Sequence, residues 1–296
     1  MSTKVTIGLC VKNGEKIVKI AFNSVSIQDY PHELMKLVIV DNGSSDNTLS
    51  LAMKFAQETD IKTFVTSSKG KGLGETRQIA VENAEGDYIV WVDDDLALSN
   101  DFVRNQVEFM EKNPNVGAAK SVNVQGPPAA TIFDIILYEG LLTSPKPKVI
   151  GTGGAIFRLK ALKSVGGFDI QIKGAGEDID VSRRIREAGW TLSINSSAKL
   201  YKKHPPQTFK AIWKRNLWYG YAKHFLVHKY NEPQSVIGYF PPFALLTGLK
   251  ISCSIYRLTS KKRVFFFSFL FCFRVMADCV GFIRAHLDGY GHANCS

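Results

Sequence analysis

The sequence predicts an α/β protein, a Rossmann-like and mostly parallel central sheet flanked by helices, followed by an apolar helical C-terminal region. Three observations carry this expectation. Short β-type runs alternate with helix-spaced segments through the first half of the chain, the order that builds a doubly wound parallel sheet. The strongest run, residues 89–92, is apolar throughout and ends in Asp93-Asp94-Asp95, as suits a strand covered on both faces with ligand-binding groups at its C-terminal tip. From Ser235 onward the composition turns apolar and rich in Phe. The division falls at about residue 232, giving a sheet domain over 1–232 and a hydrophobic helical region over 233–296.

A chain of 296 residues can bury a sizeable core. Its net charge of +10 suits an anionic partner, whether a phosphate-bearing ligand, nucleic acid or an acidic membrane surface, and does not choose among them. The five cysteines are scattered and form no C-x-x-C pair, so they indicate neither a disulfide framework nor a cysteine zinc site, and a reducing, cytoplasmic setting is the simpler expectation. The apolar run 5–11 is short and leads into Lys12-Asn13-Gly14, so no signal peptide is expected.

In chain order, residues 4–11 read as a first strand broken by Asn13-Gly14, and 15–27 have helical spacing through Ile17, Ile20, Ala21 and Val25. Residues 36–40 form a second strand ending at Asp41, where a carboxylate can accept hydrogen bonds from a ribose or a base. Asn42 to Asp46 are turn and N-cap types before a helix over 48–57, and Asp46 is best read as part of that helix entry. Residues 68–74, Ser-Lys-Gly-Lys-Gly-Leu-Gly, lack both the Walker A order and the full G-x-G-x-x-G spacing. With a helix over 75–84 behind them, Lys71, Gly72 and Arg77 could contact a diphosphate; an exposed basic loop explains the same residues.

Asp93, Asp94 and Asp95 repel one another, so a fold that gathers them supplies a cation or leaves them as a solvated turn capping the next helix, 101–112. Strand alternation turns Asp94 away from Asp93 and Asp95. A strand over 116–122 follows, then an apolar helix-like stretch, 132–142, between Pro127-Pro128 and Pro145-Lys146-Pro147. Gly151-Thr152-Gly153-Gly154 would let a ligand approach the backbone closely. Gly176-Glu177-Asp178-Ile179-Asp180 opens a helix reaching Ala188, whose first-turn acids and later arginines also complement its dipole, a purely structural explanation.

The ordered set Val40-Asp41-Asn42-Gly43-Ser44-Ser45-Asp46, Gly86-Asp87-Tyr88-Ile89-Val90-Trp91-Val92-Asp93-Asp94-Asp95, Gly151-Thr152-Gly153-Gly154, Val165-Gly166-Gly167-Phe168-Asp169 and Gly176-Glu177-Asp178-Ile179-Asp180 spans residues 5–221 with its flanking strands and helices. It resembles the GT-A glycosyltransferases of family 2, the group that includes cellulose-synthase-like enzymes. The resemblance implies that Asp41 contacts the nucleotide base of a UDP- or GDP-linked sugar, and that Asn13, Lys71, Gly72, Arg77, Gly153 and Gly154 lie along the donor. It implies that Asp93 and Asp95 form a D-x-D pair, with Asp95 reaching Mn²⁺ or Mg²⁺ and His204 helping to hold the metal or diphosphate. Asp178 is implied as catalytic base, with Glu177 orienting it or the acceptor. Three departures bear on activity: Val-Lys-Asn-Gly where the family has Pro-x-Asn-Glu, Arg77-Gln78 where Arg-Asn is common, and only Arg215-Asn216-Leu217-Trp218 to echo the Q-x-x-R-W acceptor motif. They leave processive polymer synthesis unsupported.

The chemistry matches the residue types. A diphosphate leaving group gains negative charge as the glycosidic bond breaks, which carboxylate-held metal offsets. A hydroxyl nucleophile must lose a proton, and a positioned carboxylate accelerates that roughly 10²–10⁴-fold. The expected function is an inverting hexosyl transfer to a membrane-bound, lipid-linked saccharide at the cytoplasmic face of the cell membrane, with no nucleic-acid partner. Transfer to a polyprenyl phosphate, a sugar-1-phosphate nucleotidyltransferase and a non-enzymatic membrane-docking protein are the alternatives.

The C-terminal segments, 236–256 and 264–283, are near the length needed to cross a bilayer, but Pro241-Pro242 and Lys250 interrupt the first and Arg274 and Asp278 the second. The basic stretch 257–263 between them would lie outside in a spanning hairpin, against the positive-inside rule. Helices lying in or re-entering the interface are therefore expected, with a spanning hairpin or a soluble helical subdomain as alternatives. Residues 209–230 mix Trp and Tyr with Lys and Arg as a membrane-surface helix would.

Overall fold

The computed structural model describes residues 3–68, 70, 72–123, 147–202, 208–231, 241–260 and 262–291. The chain forms two compact units, one of Met1–Gln125, Pro145–Lys173 and Glu177–His204, the other of Gly126–Ser144, Gly174–Gly176 and Pro205–Ser296.

In the first unit an eight-stranded sheet is built from β1 (Val5–Val11), β2 (Met35–Asp41), β3 (Lys62–Ser67), β4 (Tyr88–Val92), β5 (Leu96–Leu98), β6 (Val116–Asn123), β7 (Ala155–Arg158) and β8 (Thr191–Lys202), in the order β3-β2-β1-β4-β7-β6-β8-β5. Strands β3, β2, β1 and β4 are mutually parallel, as the alternation of strand and helix predicts. The other half is mixed: β6 and β8 are parallel, whereas β7 runs antiparallel to both β4 and β6, and β5 antiparallel to β8. Both faces of the sheet are buried. Ile7, Leu9, Leu37, Ile39, Val90 and Val92 pack on one side with α1 (Lys19–Ser26), α2 (Thr48–Glu58) and α4 (Phe102–Lys112). Val38, Val40, Ile89 and Trp91 pack on the other with α3 (Leu73–Glu82), α5 (Leu159–Ser164) and α6 (Glu177–Glu187). Covering on both sides explains why these strands read as unbroken apolar runs. The predicted first helix begins later than expected, at Lys19, because after the turn closed on the Gly14 carbonyl the Ile20 amide bonds the Ile17 carbonyl three residues back and interrupts the helical ladder.

The antiparallel entry of β7 has a consequence at the sheet's ligand end. Tyr88 pairs with Arg158 and Val90 with Ile156, and just beyond this ladder the Asp93 carboxylate lies where a Cβ on Gly153 would be. The Gly154 amide donates to the Trp91 carbonyl at 2.8 Å, and the Ser121 amide to the Gly154 carbonyl at 3.2 Å. The glycine loop is thereby laid across the C-terminal ends of β4 and β6.

The second unit contains α7 (Phe209–Tyr230), α8 (Pro241–Thr259) and α9 (Phe267–Leu287). Helices α7 and α9 run side by side, touching at Gly220 and Gly281, where an added Cβ would strike the backbone of Asp278 and of Leu217 respectively. Such small-residue contacts allow helix backbones to approach closely. Packing along α9 places α7 with the C-terminal helices, so the compact units part near residue 204, whereas the sequence reading draws the line at 232. Among the described residues one helical stretch, Val264–Leu287, is long and apolar enough to cross a membrane, with mean hydropathy 1.8. The predicted segment 132–142 lies outside the described residues.

Candidate active site

The chemistry-bearing residues collect at the C-terminal ends of β1, β2, β4 and β6. At the tip of β2 the Asp41 side chain is buried; Oδ2 accepts from the Ser44 amide at 2.9 Å, while Oδ1 is buried with no hydrogen-bond partner. A buried carboxylate oxygen left unmatched is costly, and a donor group on a ligand would satisfy it. Asn13, in left-handed conformation at φ 50°, fixes the neighbouring loop: its Oδ1 accepts from the Ser45 amide at 2.8 Å, and its own amide donates to Ser44 Oγ at 2.9 Å. Asp46 accepts from the Thr48 amide at 3.1 Å and the Glu15 amide at 3.2 Å, which makes it the helix-entry residue the sequence indicates. The Thr48 hydroxyl holds its carboxyl below the ordinary range.

Gly72 precedes α3 at φ 134°, and an added Cβ there would strike the Lys173 backbone, so its glycine character answers to chain packing as well as to any ligand. Lys71 and His204 lie outside the described residues. Arg77 is not part of an open basic loop. Its guanidinium is buried, paired with Glu177, 3.7 Å from Asp93 Oδ1, and above the Trp91 ring with its centroid 5.9 Å away. One cation therefore ties the strand-end carboxylate to the start of α6.

The three acids diverge. The Asp93 carboxylate, 38 % exposed, lies on Gly153, where any Cβ would displace Oδ2; Asp94 Oδ2 lies instead 2.6 Å from where a Cβ on Gly14 would be. Asp95 is half-buried beside them. Across the glycine loop, the Asp178 carboxylate is 3.5 Å from the corresponding Cβ position on Gly151, and Asp178 Oδ1 accepts from the Ile179 amide at 2.8 Å. The loop is held to α6 by the Ile150 amide, which donates to Ser182 Oγ at 2.9 Å. Burial pushes the Asp178 carboxyl above its ordinary range, with Arg77 and Lys120 opposing the shift. Within α6, Asp180 pairs with Arg184 one turn on.

Lys120 is the residue that sequence reasoning passes over. Its Nζ donates to the carbonyls of Gly151, at 3.0 Å, and Gly153, stretching the loop between Asp93 and Asp178. A lysine within an otherwise small and apolar strand was its one signal.

The sequence model described as "Glycosyl transferase family 2" matches residues 6–161, more than half the chain, and that of "Glycosyl transferase family group 2" matches 88–283. The chain belongs to glycosyl transferase family 2. Within family 2 it is similar to the poly(ribitol-phosphate) β-N-acetylglucosaminyltransferase TarS of Staphylococcus aureus, 28% identical over 135 residues, or 45% of this chain and 24% of TarS. It is also similar to the poly-β-1,6-N-acetyl-D-glucosamine synthase of Staphylococcus epidermidis, 26% identical over 232 residues, or 73% of this chain and 53% of the synthase. The chain thus spans about a quarter and about half of these relatives' lengths. Among solved structures, the mannosyltransferase PcManGT from Pyrobaculum calidifontis, in complex with GDP-Man and Mn²⁺, superposes with a TM-score of 0.69 at 18% identity, over 96% of this chain and 88% of that one. TarS residues 1–349 superpose with a TM-score of 0.54 at 16% identity, over 98% and 92%. These likenesses show the fold, the GT-A arrangement of a family 2 transferase.

Proposed function

We propose that the chain is an inverting, metal-dependent glycosyltransferase that moves a sugar from a UDP- or GDP-linked donor to a hydroxyl of a membrane-bound, lipid-linked saccharide at the cytoplasmic face of the cell membrane. The observation that carries this reading is the juxtaposition of the half-exposed Asp93 and the pKa-raised Asp178 on one bare glycine loop. GDP-Man in the PcManGT complex supports a nucleotide-sugar donor, and poly-N-acetylglucosamine synthesis by a relative supports a saccharide acceptor.

In this reading residues 1–232 carry the transferase and 233–296 associate with the membrane. Asp41 Oδ1 takes a donor group of the base, and Asn13 preserves the loop around it. Lys71 and Gly72 border the diphosphate, and His204 assists with it. Asp93 and Asp95 present hard oxygen donors suited to Mn²⁺ or Mg²⁺, and Gly153 and Gly154 lie along the donor, their missing side chains letting the Asp93 carboxylate and Leu200 close on the loop backbone. Mn²⁺, which accompanies GDP-Man in the PcManGT complex, would offset the charge of the departing diphosphate when bound. Arg77 and Glu177 position the two carboxylate groups relative to each other. Asp178 removes the acceptor hydroxyl's proton as that oxygen attacks from the face opposite the diphosphate. A lipid phosphate acceptor is already ionised and has no use for such a base, which favours a hydroxyl acceptor.

Thermal-shift screening of UDP- and GDP-sugars tests the reading. A matched donor with Mn²⁺ at about 100 times its Kd stabilises the fold by about 2.7 kcal/mol. Absence of metal-dependent stabilisation by every nucleotide sugar would overturn it, as would pyrophosphate release during turnover.

A further inference from the structure

We propose that His224, His228 and His286 form a transition-metal site of the zinc-binding class, separate from the carboxylate site, that fastens α7 to α9. His224 and His228 stand one turn apart on α7, the i, i+4 spacing that puts two imidazoles on one helix face, and His286 comes from the last turn of α9. One ligating atom from each lies within 4.8 Å of the others. His228 Nε2 is 3.1 Å from His224 Nε2, and His286 Nδ1 is 3.3 Å from the same atom. Imidazole nitrogens at about 2.0–2.1 Å from a tetrahedral zinc are about 3.3–3.4 Å from one another. Two of the three nitrogen pairs already stand at nearly that separation, and the third lies within 4.8 Å.

Protonation geometry points the same way. His224 Nδ1 is 2.6 Å from the Tyr290 carbonyl, which can only accept, so Nδ1 carries the proton and Nε2 keeps its lone pair. That lone pair faces the other two ring nitrogens. An imidazole that donates through one nitrogen to a backbone carbonyl and offers the other to a cluster of imidazoles is the orientation that protein-bound zinc selects. A hydrogen bond uses a single lone pair, whereas a cation draws on all three rings at once.

The surroundings favour a soft-to-borderline cation. Both helices end beside the cluster, α7 at Tyr230 and α9 at Leu287, and the partial negative charge of a helix C-terminus attracts positive charge. Three nitrogen donors prefer Zn²⁺, Cu²⁺ or Ni²⁺, unlike the oxygen set of Asp93 and Asp95. His224 is buried, His228 half-buried and His286 exposed, so an ion could reach the cluster from the His286 side. A metal there would clamp the helix pair beyond its Gly220 and Gly281 contact.

The full chain, purified in detergent and stripped of metal, is titrated with Co²⁺ and followed by visible absorption. The expected result is a stoichiometric rise of the intense bands of four-coordinate Co²⁺, displaced by Zn²⁺ and unchanged in Asp95→Asn. In His286→Ala, and in the size-preserving His286→Gln and His228→Gln, affinity falls by more than about tenfold, and Zn²⁺ no longer raises the melting temperature. The proposal is overturned if the four-coordinate bands are absent, if they survive unchanged in all three histidine variants, or if they vanish in Asp95→Asn.

Discussion

Asp178 combines two roles that pull against each other. Burial raises its pKa, so the folded chain holds the proton more tightly than the unfolded chain does. The stability linked to that proton is present below the ordinary carboxylate pKa and is lost as pH rises through the folded value. Asp178→Asn should therefore be neutral or stabilising at pH 7 while costing roughly 10²–10⁴-fold in transfer rate; paired chemical-denaturation and turnover measurements check both. Transfer by the native chain should fall as pH drops through a pKa above the usual aspartate range, and a residual rate in the Asn variant should lack that limb. The neighbouring triplet makes a second residue-level prediction. Because Asp93 lies on Gly153 and Asp94 near Gly14, Asp93→Asn and Asp95→Asn should abolish Mn²⁺-dependent donor binding while Asp94→Asn retains most of it. Calorimetry showing equal losses at all three would contradict the division of roles.

At the scale of elements, the pair Arg77 and Glu177 joins α3 to α6 with both side chains buried. Removing the cation leaves Glu177 charged in a poorly solvated place, so Arg77→Ala should destabilise the fold by about 3–5 kcal/mol. A urea midpoint within error of the native chain's would show that the pair contributes nothing. This pairing also marks where sequence legibility ends. Strands β1, β2 and β4 could be read because burial on both faces makes them continuous apolar runs, and Asp41 and Asp93 because they terminate those runs. Strand β8 was not legible, since the polar run Asn195-Ser196-Ser197, where its register with β6 shifts, interrupts the alternation on either side. Strand β7 is too short to announce itself, and its antiparallel direction follows from long-range pairing with β4 and β6. Arg77 was read onto a loop-proximal diphosphate because its partner lies a hundred residues away. The spacing of His224 and His228 was present in the sequence, but their meaning depends on His286 arriving from another helix.

For the whole molecule, the second unit bears on where the chain resides. Sequence alone counts Arg274 and Asp278 against a membrane helix. In the folded unit Arg274 Nε donates to Asn216 Oδ1 at 3.3 Å, and Asp278 meets Lys223 at 3.4 Å, so these two mid-helix charges have partners on α7. The opposite stripe of α9, Phe269, Met276, Val280, Ile283 and Leu287, follows the helical repeat and is exposed, from 44 % at Val280 to 78 % at Leu287. Water-exposed apolar stripes of this length mark interaction surfaces; for the proposed membrane partner, a net charge of +10 would add attraction to anionic lipids. The two contributions separate experimentally. Salt at about 1 M reduces the Debye length to about 3 Å and removes the charge attraction, whereas it leaves apolar insertion in place. Each buried large side chain is worth about 1.5–3 kcal/mol, so Phe269→Asp and Ile283→Asp should each lower vesicle partitioning at least tenfold. Flotation with anionic vesicles should show the native chain retained in high salt and each variant released. Complete release of the native chain by salt, with no effect of either substitution, would assign membrane binding to the basic residues alone.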